Sequence, residues 1–210
     1  MNQNHEKIKF KNGEILPLMD TFTTIQGEGF HSGRSAHFLR IGGCDIGCHW
    51  CDIKESWNSD LYPLVKIENI VETVNSSVDI IVISGGEPLI WNMSPLTSSL
   101  KKLNKKIHLE TSGAYEISGN WDWICLSPKK RMKPLAEFYN VANELKVIVY
   151  NKDDLKFAEE QAKKVNSDAH LYLQPEWDNR EKMMPIMVDY VKNNPKWKIS
   201  LQTHKYLNIP

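Results

Sequence analysis

Three cysteines stand close together in Gly42-Gly43-Cys44-Asp45-Ile46-Gly47-Cys48-His49-Trp50-Cys51, with the spacing C-x3-C-x2-C. Each soft thiolate can take one iron of an iron–sulfur cube. A cube has a further iron, which three protein ligands leave open for an outside molecule. A catalytic cluster needs such an open iron and a pure electron carrier does not. The glycines of the loop let the backbone fold tightly around a bulky cofactor.

Zinc and a disulfide are the other uses to weigh for these cysteines. Zinc sites built on C-x2-C normally contain a second cysteine pair or two histidines. The sequence has no second cysteine pair and no pair of histidines at the required spacing. Cys125 has no cysteine neighbour and is expected to be a buried small hydrophobic residue. His49 is a candidate fourth zinc ligand, but it is wedged between two of the thiolates. No secretory signal precedes the thiols, so the pattern favours a cluster over zinc, and zinc over a disulfide.

The composition predicts one ordinary globular domain. The chain has 210 residues, which suits a single domain spanning 1–210 with a polar N-terminal extension at 1–16. Acidic and basic residues number 26 each, so bulk charge predicts no direct nucleic-acid partner. No apolar run is long enough to cross a membrane, and the polar N-terminus lacks an export signal. We therefore expect a protein of the reducing cytoplasm, which also suits an oxygen-sensitive cluster.

Short apolar runs alternate with helical segments after the first thirty residues. Predicted strands are Ala36–Ile41, Ile80–Ser84, Ile107–Glu110, Trp123–Leu126, Glu144–Val149, His170–Leu173 and Lys198–Leu201. Predicted helices are Ile67–Val74, Pro95–Lys102, Asp153–Val165 and Glu181–Lys192. Such alternation predicts an α/β fold with a largely parallel sheet. A complete eight-unit barrel needs about 250 residues, so we expect a shortened, partly open (β/α) TIM-like barrel.

Polar or glycine-rich residues follow six of the predicted strands. The cysteine loop follows the first, and the other exits are Gly85-Gly86-Glu87-Pro88, Thr111-Ser112-Gly113, Ser127-Pro128-Lys129, Gln174-Pro175-Glu176-Trp177 and Gln202-Thr203-His204-Lys205. In a parallel barrel, all strand exits lie at the C-terminal face, where active sites are assembled. The sequence therefore predicts one site built from these exits, with His204 as a further candidate for its wall.

The cysteine loop and Ser84-Gly85-Gly86-Glu87-Pro88 together make the chain resemble the radical S-adenosylmethionine (SAM) enzymes. The resemblance implies that SAM chelates the open iron of a 4Fe–4S cluster and is cleaved to a 5′-deoxyadenosyl radical. The residues support it independently, because a glycine pair lets main chain approach a ligand closely. We also expect the carboxylate of Glu87 to accept hydrogen bonds from an ammonium group.

The two ends of the chain resemble a narrower family, the 7-carboxy-7-deazaguanine synthases. The similar stretches are Thr24-Ile25-Gln26-Gly27-Glu28-Gly29, Gly33-Arg34, Phe38-Leu39-Arg40, Cys51-Asp52 with Trp57, and Leu201 to Pro210. The resemblance implies a dimeric carbon–nitrogen lyase of queuosine biosynthesis, a pathway of tRNA modification. Such an enzyme converts 6-carboxy-5,6,7,8-tetrahydropterin to 7-carboxy-7-deazaguanine and ammonia. It starts by abstracting a hydrogen from substrate C6, regenerates SAM, and takes its electron from a reductant such as flavodoxin or ferredoxin.

The family's site residues can be carried over where this sequence matches. Cys44, Cys48 and Cys51 would hold the cluster. The SAM site would comprise Trp50, Asp52, Gly86, Glu87, Ser127, Pro128, Lys129, Gln174, Pro175, Glu176 and Trp177. The substrate site would comprise Ile25, Gln26, Gly27, Glu28, Arg40, Ser84, Glu110 and the terminal carboxylate of Pro210. Carboxylates suit an aminopyrimidinone edge, and Arg40 suits a substrate carboxylate.

One position departs from the family's pattern. A Thr or Ser usually stands two residues after the last cluster cysteine and helps to bind Mg2+, but here this residue is Ile53. Mg2+ prefers hard oxygen ligands, so the site loses a ligand, replaces it with water, or is absent. Asp52 is a possible substitute. The sequence therefore predicts a weakened or different dependence on Mg2+.

Two other functions remain as alternatives. A radical SAM activating enzyme, which installs a radical on a protein partner, would share the cysteine loop and would need a groove for a protein segment. A non-catalytic iron–sulfur protein would share the cluster and have no use for an open iron. The Gln26 and Pro210 elements favour a small planar substrate, and with it the lyase.

Overall fold

The computed structural model describes Phe10 and residues 12–210, and within them it contains one nine-stranded sheet. The strands are β1 (Ile15–Ile25), β2 (Ser35–Ile41), β3 (Leu64–Lys66), β4 (Ile80–Gly85), β5 (Lys106–Thr111), β6 (Trp123–Leu126), β7 (Glu144–Val149), β8 (His170–Pro175) and β9 (Trp197–Ile199). Their order is β3-β1-β2-β4-β5-β6-β7-β8-β9. All neighbours from β2 to β9 are parallel, whereas β1 is antiparallel to both β2 and β3. The predicted class, a shortened and partly open α/β barrel, is confirmed.

Six α-helices accompany the sheet in the described part of the chain. They are α1 (Ile67–Glu72), α2 (Ser94–Lys101), α3 (Ala136–Val141), α4 (Asp153–Ala162), α5 (Arg180–Asn193) and α6 (Thr203–Leu207). The helices α2 to α5 each connect one parallel strand to the next, as crossover connections require. Therefore each of them begins near the C-terminal edge of the sheet and ends near its N-terminal edge.

The two faces of the sheet differ in chemistry. In β7, Leu145, Val147 and Val149 are buried in the main hydrophobic core with the helices. Side chains alternate along a strand, so Glu144 and Lys146 point to the opposite face. Both are nonetheless buried. At β7 the concave face of the sheet is therefore polar, and this face holds the candidate site.

The predicted elements are present in the structure, which also contains four elements that the sequence did not predict. All seven predicted strands and four predicted helices are present, with ends shifted by a few residues. The four additional elements are β1, β3, α3 and α6. In β1, Thr and Phe residues alternate, which is typical of a strand. Of the predicted extension at 1–16, residues 1–9 and 11 lie outside the described residues, and Ile15 and Leu16 begin β1.

Residues 26–34, here called the inner loop, turn from β1 into the interior of the sheet. The loop closes on itself through two hydrogen bonds, Gln26 N to Arg34 O and Gly33 N to Gln26 O, each 2.8 Å. The ring of Phe30 stacks on Trp123 and His170, with centroids at 4.9 and 4.4 Å. Those two residues begin β6 and β8, so the inner loop covers the N-terminal end of the interior. The remaining opening is at the C-terminal face.

Candidate active site

Two adjoining cavities lie at the C-terminal face. The cluster cavity, of about 240 Å³, is lined by the three cysteines of the loop and by residues of all six predicted strand exits. The inner cavity, of about 200 Å³, is lined by residues of the inner loop, β2 and the C-terminal segment. The two cavities share five residues, namely Glu28, Asp52, Ser84, Gly85 and Glu110. Two small molecules, one bound in each cavity, would therefore lie next to each other.

Most of the predicted residues line one of the two cavities, and four of them line both. All eight residues predicted for the substrate line the inner cavity: Ile25, Gln26, Gly27, Glu28, Arg40, Ser84, Glu110 and Pro210. Ten of those predicted for SAM line the cluster cavity: Trp50, Asp52, Gly86, Glu87, Ser127, Lys129, Gln174, Pro175, Glu176 and Trp177. Pro128 is buried beside them. His204, a further candidate, lines the inner cavity.

The cysteine loop is held by its backbone. Gly43 N donates to Ser56 O at 2.7 Å, and Cys44 N donates to Trp57 O at 3.2 Å. Gly86 packs so closely that a Cβ there would lie 2.2 Å from Gly43 O, which explains the glycine. The three thiols are free and partly exposed at the cavity wall. Burial raises the pKa of the Cys44 and Cys48 thiols.

Glu87 lines the cluster cavity, but its carboxylate already has partners within the protein. Its carboxylate is 1% exposed and accepts four hydrogen bonds within the protein. Oε1 accepts from Leu89 N at 3.2 Å and Thr111 Oγ1 at 2.6 Å, while Oε2 accepts from Ser112 N at 2.8 Å and Ser112 Oγ at 2.5 Å. A carboxylate has about four acceptor positions, so none is left for an ammonium group. Glu87 joins the exits of β4 and β5 instead.

Glu176 has a similar internal use. Its two oxygens accept from Asp178 N at 3.2 Å, Asn179 N at 3.1 Å and Asn179 Nδ2 at 2.9 Å. These bonds organise the turn between β8 and α5, so the side chain shapes the cavity wall. Trp177, the next residue, is flanked by Arg180 at 4.1 Å and Lys205 at 5.0 Å from its ring centroid. The turn thus presents a fixed aromatic surface to the cavity.

Lys129 and Trp50 face each other across the cluster cavity. The ammonium of Lys129 lies 5.5 Å from the ring centroid of Trp50. It also donates to Ser127 O at 2.7 Å and to Ser127 Oγ at 2.6 Å. Burial lowers the pKa of Lys129. The exit of β6 therefore brings a positive charge close to the cysteine loop.

Lys146 is a residue of the site that sequence reasoning missed. Its side chain is 4% exposed, and Nζ lies 2.6 Å from Glu28 Oε2 and 2.9 Å from Glu110 Oε2. Burial raises the pKa of Glu28, but the Lys146 ammonium outweighs this and holds the pKa at about 2. Burial would lower the pKa of Lys146, but the carboxylates around it raise the value. Glu28 is therefore ionised at the junction of the cavities, where Lys146 also bonds to Glu110.

Comparison with known proteins fits this geometry. The model of the radical SAM superfamily matches residues 39–124, which include the cysteine loop. A 7-carboxy-7-deazaguanine synthase from Flavobacterium psychrophilum is 61% identical over 204 residues, covering 97% of each chain. The chain belongs to the 7-carboxy-7-deazaguanine synthase family. Another member, from a Synechocystis species, is 44% identical over 92% of this chain and 93% of its own.

The fold of this 7-carboxy-7-deazaguanine synthase family member also matches a solved structure. The crystal structure of QueE from Escherichia coli superposes with a TM-score of 0.79 at 26% identity, covering 93% of this chain and 97% of that one. The family implies a 4Fe–4S cluster and SAM. The donor set fits both, since three free thiols adjoin a cavity with a glycine-lined wall and an indole surface.

The family member differs at the expected metal position. Ile53 lines the inner cavity and offers no oxygen ligand. The carboxylate of Asp52 next to it accepts from Lys205 Nζ at 2.8 Å and from Gln202 Nε2 at 3.4 Å. Within the described part of the chain, no three His, Cys, Asp or Glu side chains are grouped as ligands of one metal ion. Asp52 is thus paired with a cation of the chain's own C-terminal helix.

The close approach of His204 explains why residue 27 of the inner loop is a glycine. A Cβ on Gly27 would lie 2.2 Å from His204 Nδ1, so only glycine lets the inner loop pass this imidazole. Burial lowers the pKa of His204. On the opposite wall, Arg40 lies in register with Ser84 and stacks over Phe22, with the guanidinium carbon 4.7 Å from the ring centroid. The inner cavity is therefore lined by a cation, an imidazole, the three side-chain carboxylates of Glu28, Asp52 and Glu110, and the C-terminal residue Pro210.

Proposed function

We propose that the protein is a radical SAM lyase that converts 6-carboxy-5,6,7,8-tetrahydropterin to 7-carboxy-7-deazaguanine and ammonia, a step toward queuosine. One observation carries the proposal. The eight residues that the family resemblance implies for the substrate, which come from both ends of the chain and from its middle, line one cavity. That cavity opens onto the cysteines through Ser84 and Glu110. A small-molecule site of this kind favours the lyase over an activating enzyme.

The cluster cavity holds the cofactors in this proposal. Cys44, Cys48 and Cys51 ligate the cluster, and Trp50 and Trp177 provide flat surfaces for the adenine. When bound, the cluster and SAM would supply the radical chemistry that starts the reaction at substrate C6. Gly86 lets main chain approach SAM, and the Ser127-Pro128-Lys129 turn and Gln174 complete the wall. Glu87 supports this wall from behind.

The inner cavity orients the substrate. Glu28 and Glu110 accept hydrogen bonds from the amino and ring N–H groups of the aminopyrimidinone. Lys146 bonds to both and keeps the pKa of Glu28 at about 2, so Glu28 accepts and does not donate. Arg40 binds the substrate carboxylate, and Gln26 and Pro210 contact the edges of the ring. Fixing the ring between these groups positions one hydrogen atom toward the cluster cavity.

The protein lacks the hydroxyl ligand for Mg2+ that is usual in the family. Ile53 supplies no ligand, and Asp52 is paired with Lys205. We therefore propose that any Mg2+ in this enzyme is held mainly by the substrate and water, and that activity depends on it less than in relatives with Thr or Ser at this position.

The proposal extends to the location and partners of the enzyme. We propose that it acts in the cytoplasm as a homodimer and receives electrons from an external carrier, and that it binds neither a membrane nor a nucleic acid. Leu201, Tyr206 and Leu207 near the mouth are 39%, 60% and 56% exposed and supply apolar surface for a second copy. No helix in the described residues is long and apolar enough to cross a membrane. Sedimentation of the reconstituted protein tests the dimer.

The decisive experiment is product analysis under anaerobic conditions. Reconstituted protein is incubated with SAM, dithionite and 6-carboxytetrahydropterin, and the products are identified by mass. We expect 7-carboxy-7-deazaguanine, with SAM regenerated. Arg40→Gln tests the substrate cavity, because losing the cation raises KM by about tenfold or more while the cluster's absorption stays unchanged. Cleavage of SAM without any deazapurine would contradict the proposal.

A further inference from the structure

The last helix of the chain, α6, lies between the two cavities. It leads to the C-terminal residue Pro210, which lines the inner cavity together with His204 of the helix itself. Gln202, the residue before the helix, is buried and lines the cluster cavity. The proposed function uses Pro210 and leaves the helix that carries it without a role.

Polar contacts hold α6 in place. None of its five side chains is buried, so the hydrophobic core contributes little to its position. The backbone N and Oγ1 of Thr203 both donate to Gly27 O, at 2.9 and 3.0 Å. Gln202 Nε2 donates to Glu28 Oε1 at 3.1 Å. Segments with few buried apolar contacts have low local stability. The order of α6 therefore depends on its bonds to residues that line the cavities.

Lys205 joins α6 to the wall of the cluster cavity. Its ammonium donates to Asp52 Oδ2 at 2.8 Å and lies 5.0 Å from the ring centroid of Trp177. Asp52 directly follows Cys51 and lines both cavities, and Trp177 lines the cluster cavity. The Lys205 side chain is 21% exposed, so solvent screens its charge less than that of a fully exposed lysine. Tyr206 packs its ring against Trp177 at 5.2 Å. One cation thus ties the C-terminal helix to two residues beside the cysteine loop.

We propose that Lys205 couples the two cavities, so that a ligand bound in one strengthens binding in the other. This coupling rests on the proposed function, which places the adenine of SAM against Trp177 and the pterin against Pro210. A ligand that fixes Trp177 and Asp52 also fixes the Lys205 ammonium, and with it the helix that carries His204 and Pro210. The second ligand then meets a wall that is already ordered, and its binding costs less conformational entropy. The effect is reciprocal, because coupling between two binding sites has the same size in both directions. Lys205 is therefore a positioning residue and not a catalytic one.

The test removes the ammonium of Lys205 and compares the variant with a matched lysine. Lys205→Met keeps an unbranched apolar side chain and loses the charge, without touching Leu201, Tyr206 or Leu207, the apolar residues proposed for a second copy. Lys196→Met is the control. Lys196 also pairs with a carboxylate, that of Glu159, at 2.6 Å. It directly precedes β9, at the opposite end of the sheet, and lines neither cavity.

Binding is measured first, on cluster-reconstituted protein without a reductant, so that SAM is not cleaved. Calorimetry gives the Kd of SAM alone and with saturating 6-carboxytetrahydropterin. We expect the pterin to lower this Kd by about tenfold in wild type and Lys196→Met, and by less than about twofold in Lys205→Met. A purely structural role of Lys205 would weaken SAM binding by the same factor with and without pterin. An equal effect of the pterin in all three proteins, or no effect in wild type, would overturn the proposal.

Hydrogen exchange of the C-terminal segment provides a second readout that does not need the pterin. The backbone N–H groups of Lys205 and Ile209 donate to Gln202 O and His204 O, at 3.0 and 3.1 Å, and report on the order of α6. We expect SAM alone to slow their exchange by about tenfold in wild type and by less than about twofold in Lys205→Met. If wild type neither binds nor converts the pterin, the proposed function fails, while the exchange measurement still decides whether Lys205 links the cluster cavity to α6. Unchanged exchange in wild type on adding SAM would show that no such link exists.

Discussion

Lys146 Nζ lies 2.6 Å from Glu28 Oε2, although the two residues are 118 positions apart in the sequence. Lys146 comes from the middle of the sheet and Glu28 from the inner loop, so this ion pair fixes the loop against the strands. The same ammonium reaches Glu110 Oε2 at 2.9 Å. One buried cation thus joins both carboxylates at the junction of the two cavities.

Replacing Lys146 by Met should damage the inner cavity more than the fold. Without the ammonium, the pKa of Glu28 rises from about 2 because burial is no longer opposed. A protonated Glu28 donates a hydrogen bond where the aminopyrimidinone needs an acceptor. We expect kcat/KM for the pterin to fall by about a hundredfold, with the pH profile shifted so that activity recovers at higher pH.

The matched control for that variant is Lys101→Met. Lys101 also pairs with a carboxylate, Asp122, at 2.5 Å, but at the end of α2 and away from both cavities. It should lower stability slightly and leave the pH profile of kcat/KM unchanged. If Lys146→Met keeps the wild-type pH profile, Lys146 does not control the charge of Glu28.

Replacing Glu87 by Gln should lower stability with little effect on SAM binding. The amide group of Gln places a donor against the Ser112 N–H and hydroxyl, which now donate to Glu87 Oε2. Loss of such buried bonds costs about 1–3 kcal/mol. Urea unfolding measures the cost, and calorimetry on reconstituted protein measures the SAM affinity.

Thr111→Val provides a graded companion to the Glu87 variant. It removes one donor to Glu87, the Thr111 hydroxyl, together with the acceptor of the Gly113 N–H group, and should lower stability in the same direction. A large loss of SAM affinity in Glu87→Gln, without any loss of stability, would return Glu87 to the direct role that the sequence first suggested.

The sequence predicted the parts of the site that have local signatures. The cysteine loop and the Gly85-Gly86 pair were found because a cluster and a close backbone approach need those residue types at fixed spacing. Lys146 was missed because a lysine within an apolar strand looks like any alternating polar position. Its importance depends on Glu28 and Glu110, which are distant in sequence and become neighbours only in the fold.

The internal hydrogen bonds of Glu87 could not be predicted, for the same reason. A carboxylate beside a glycine pair suggests an exposed acceptor, but its four donors are supplied by residues 89, 111 and 112. Those donors could not be assigned before the exits of β4 and β5 were known to meet. Local chemistry identifies a group, whereas the partners that occupy it are set by tertiary structure.

Replacing Ile53 by Thr should increase the dependence on Mg2+. The substitution restores a hydroxyl at a position that lines the inner cavity. A hard oxygen ligand there favours Mg2+ next to the substrate carboxylate. We expect Mg2+ to stimulate Ile53→Thr by about tenfold and wild type by less, measured as kcat/KM after treatment with chelator. Ile53→Val, which adds no oxygen, is the control and should behave like wild type. A strict Mg2+ requirement in wild type would contradict the prediction.

Glu144 should make the protein less stable as the pH rises through neutrality. Burial raises the pKa of this carboxyl to about 7 from 4.5, against the attraction of Lys146. Glu144 Oε1 is buried without a hydrogen-bond partner, whereas Oε2 accepts from Phe30 N at 3.2 Å. The native state therefore binds a proton more tightly than the unfolded chain. This contribution is fully present below pH 4.5 and is lost as the pH rises through 7.

The side chain in Glu144→Gln resembles the protonated acid and does not titrate. This variant should therefore not lose stability at position 144 as the pH rises. The free energy of unfolding of the variant, relative to wild type, should rise between pH 4.5 and about 7.5, by roughly 3 kcal/mol in total. Urea unfolding across this range measures the difference. The buried histidines of the interior, including His108 with its pKa lowered to about 4 by burial, titrate in both proteins and cancel. Glu68→Gln, on the exposed side of α1, is the control and should follow wild type. A difference between Glu144→Gln and wild type that does not change with pH would show that Glu144 is ionised in the folded protein throughout.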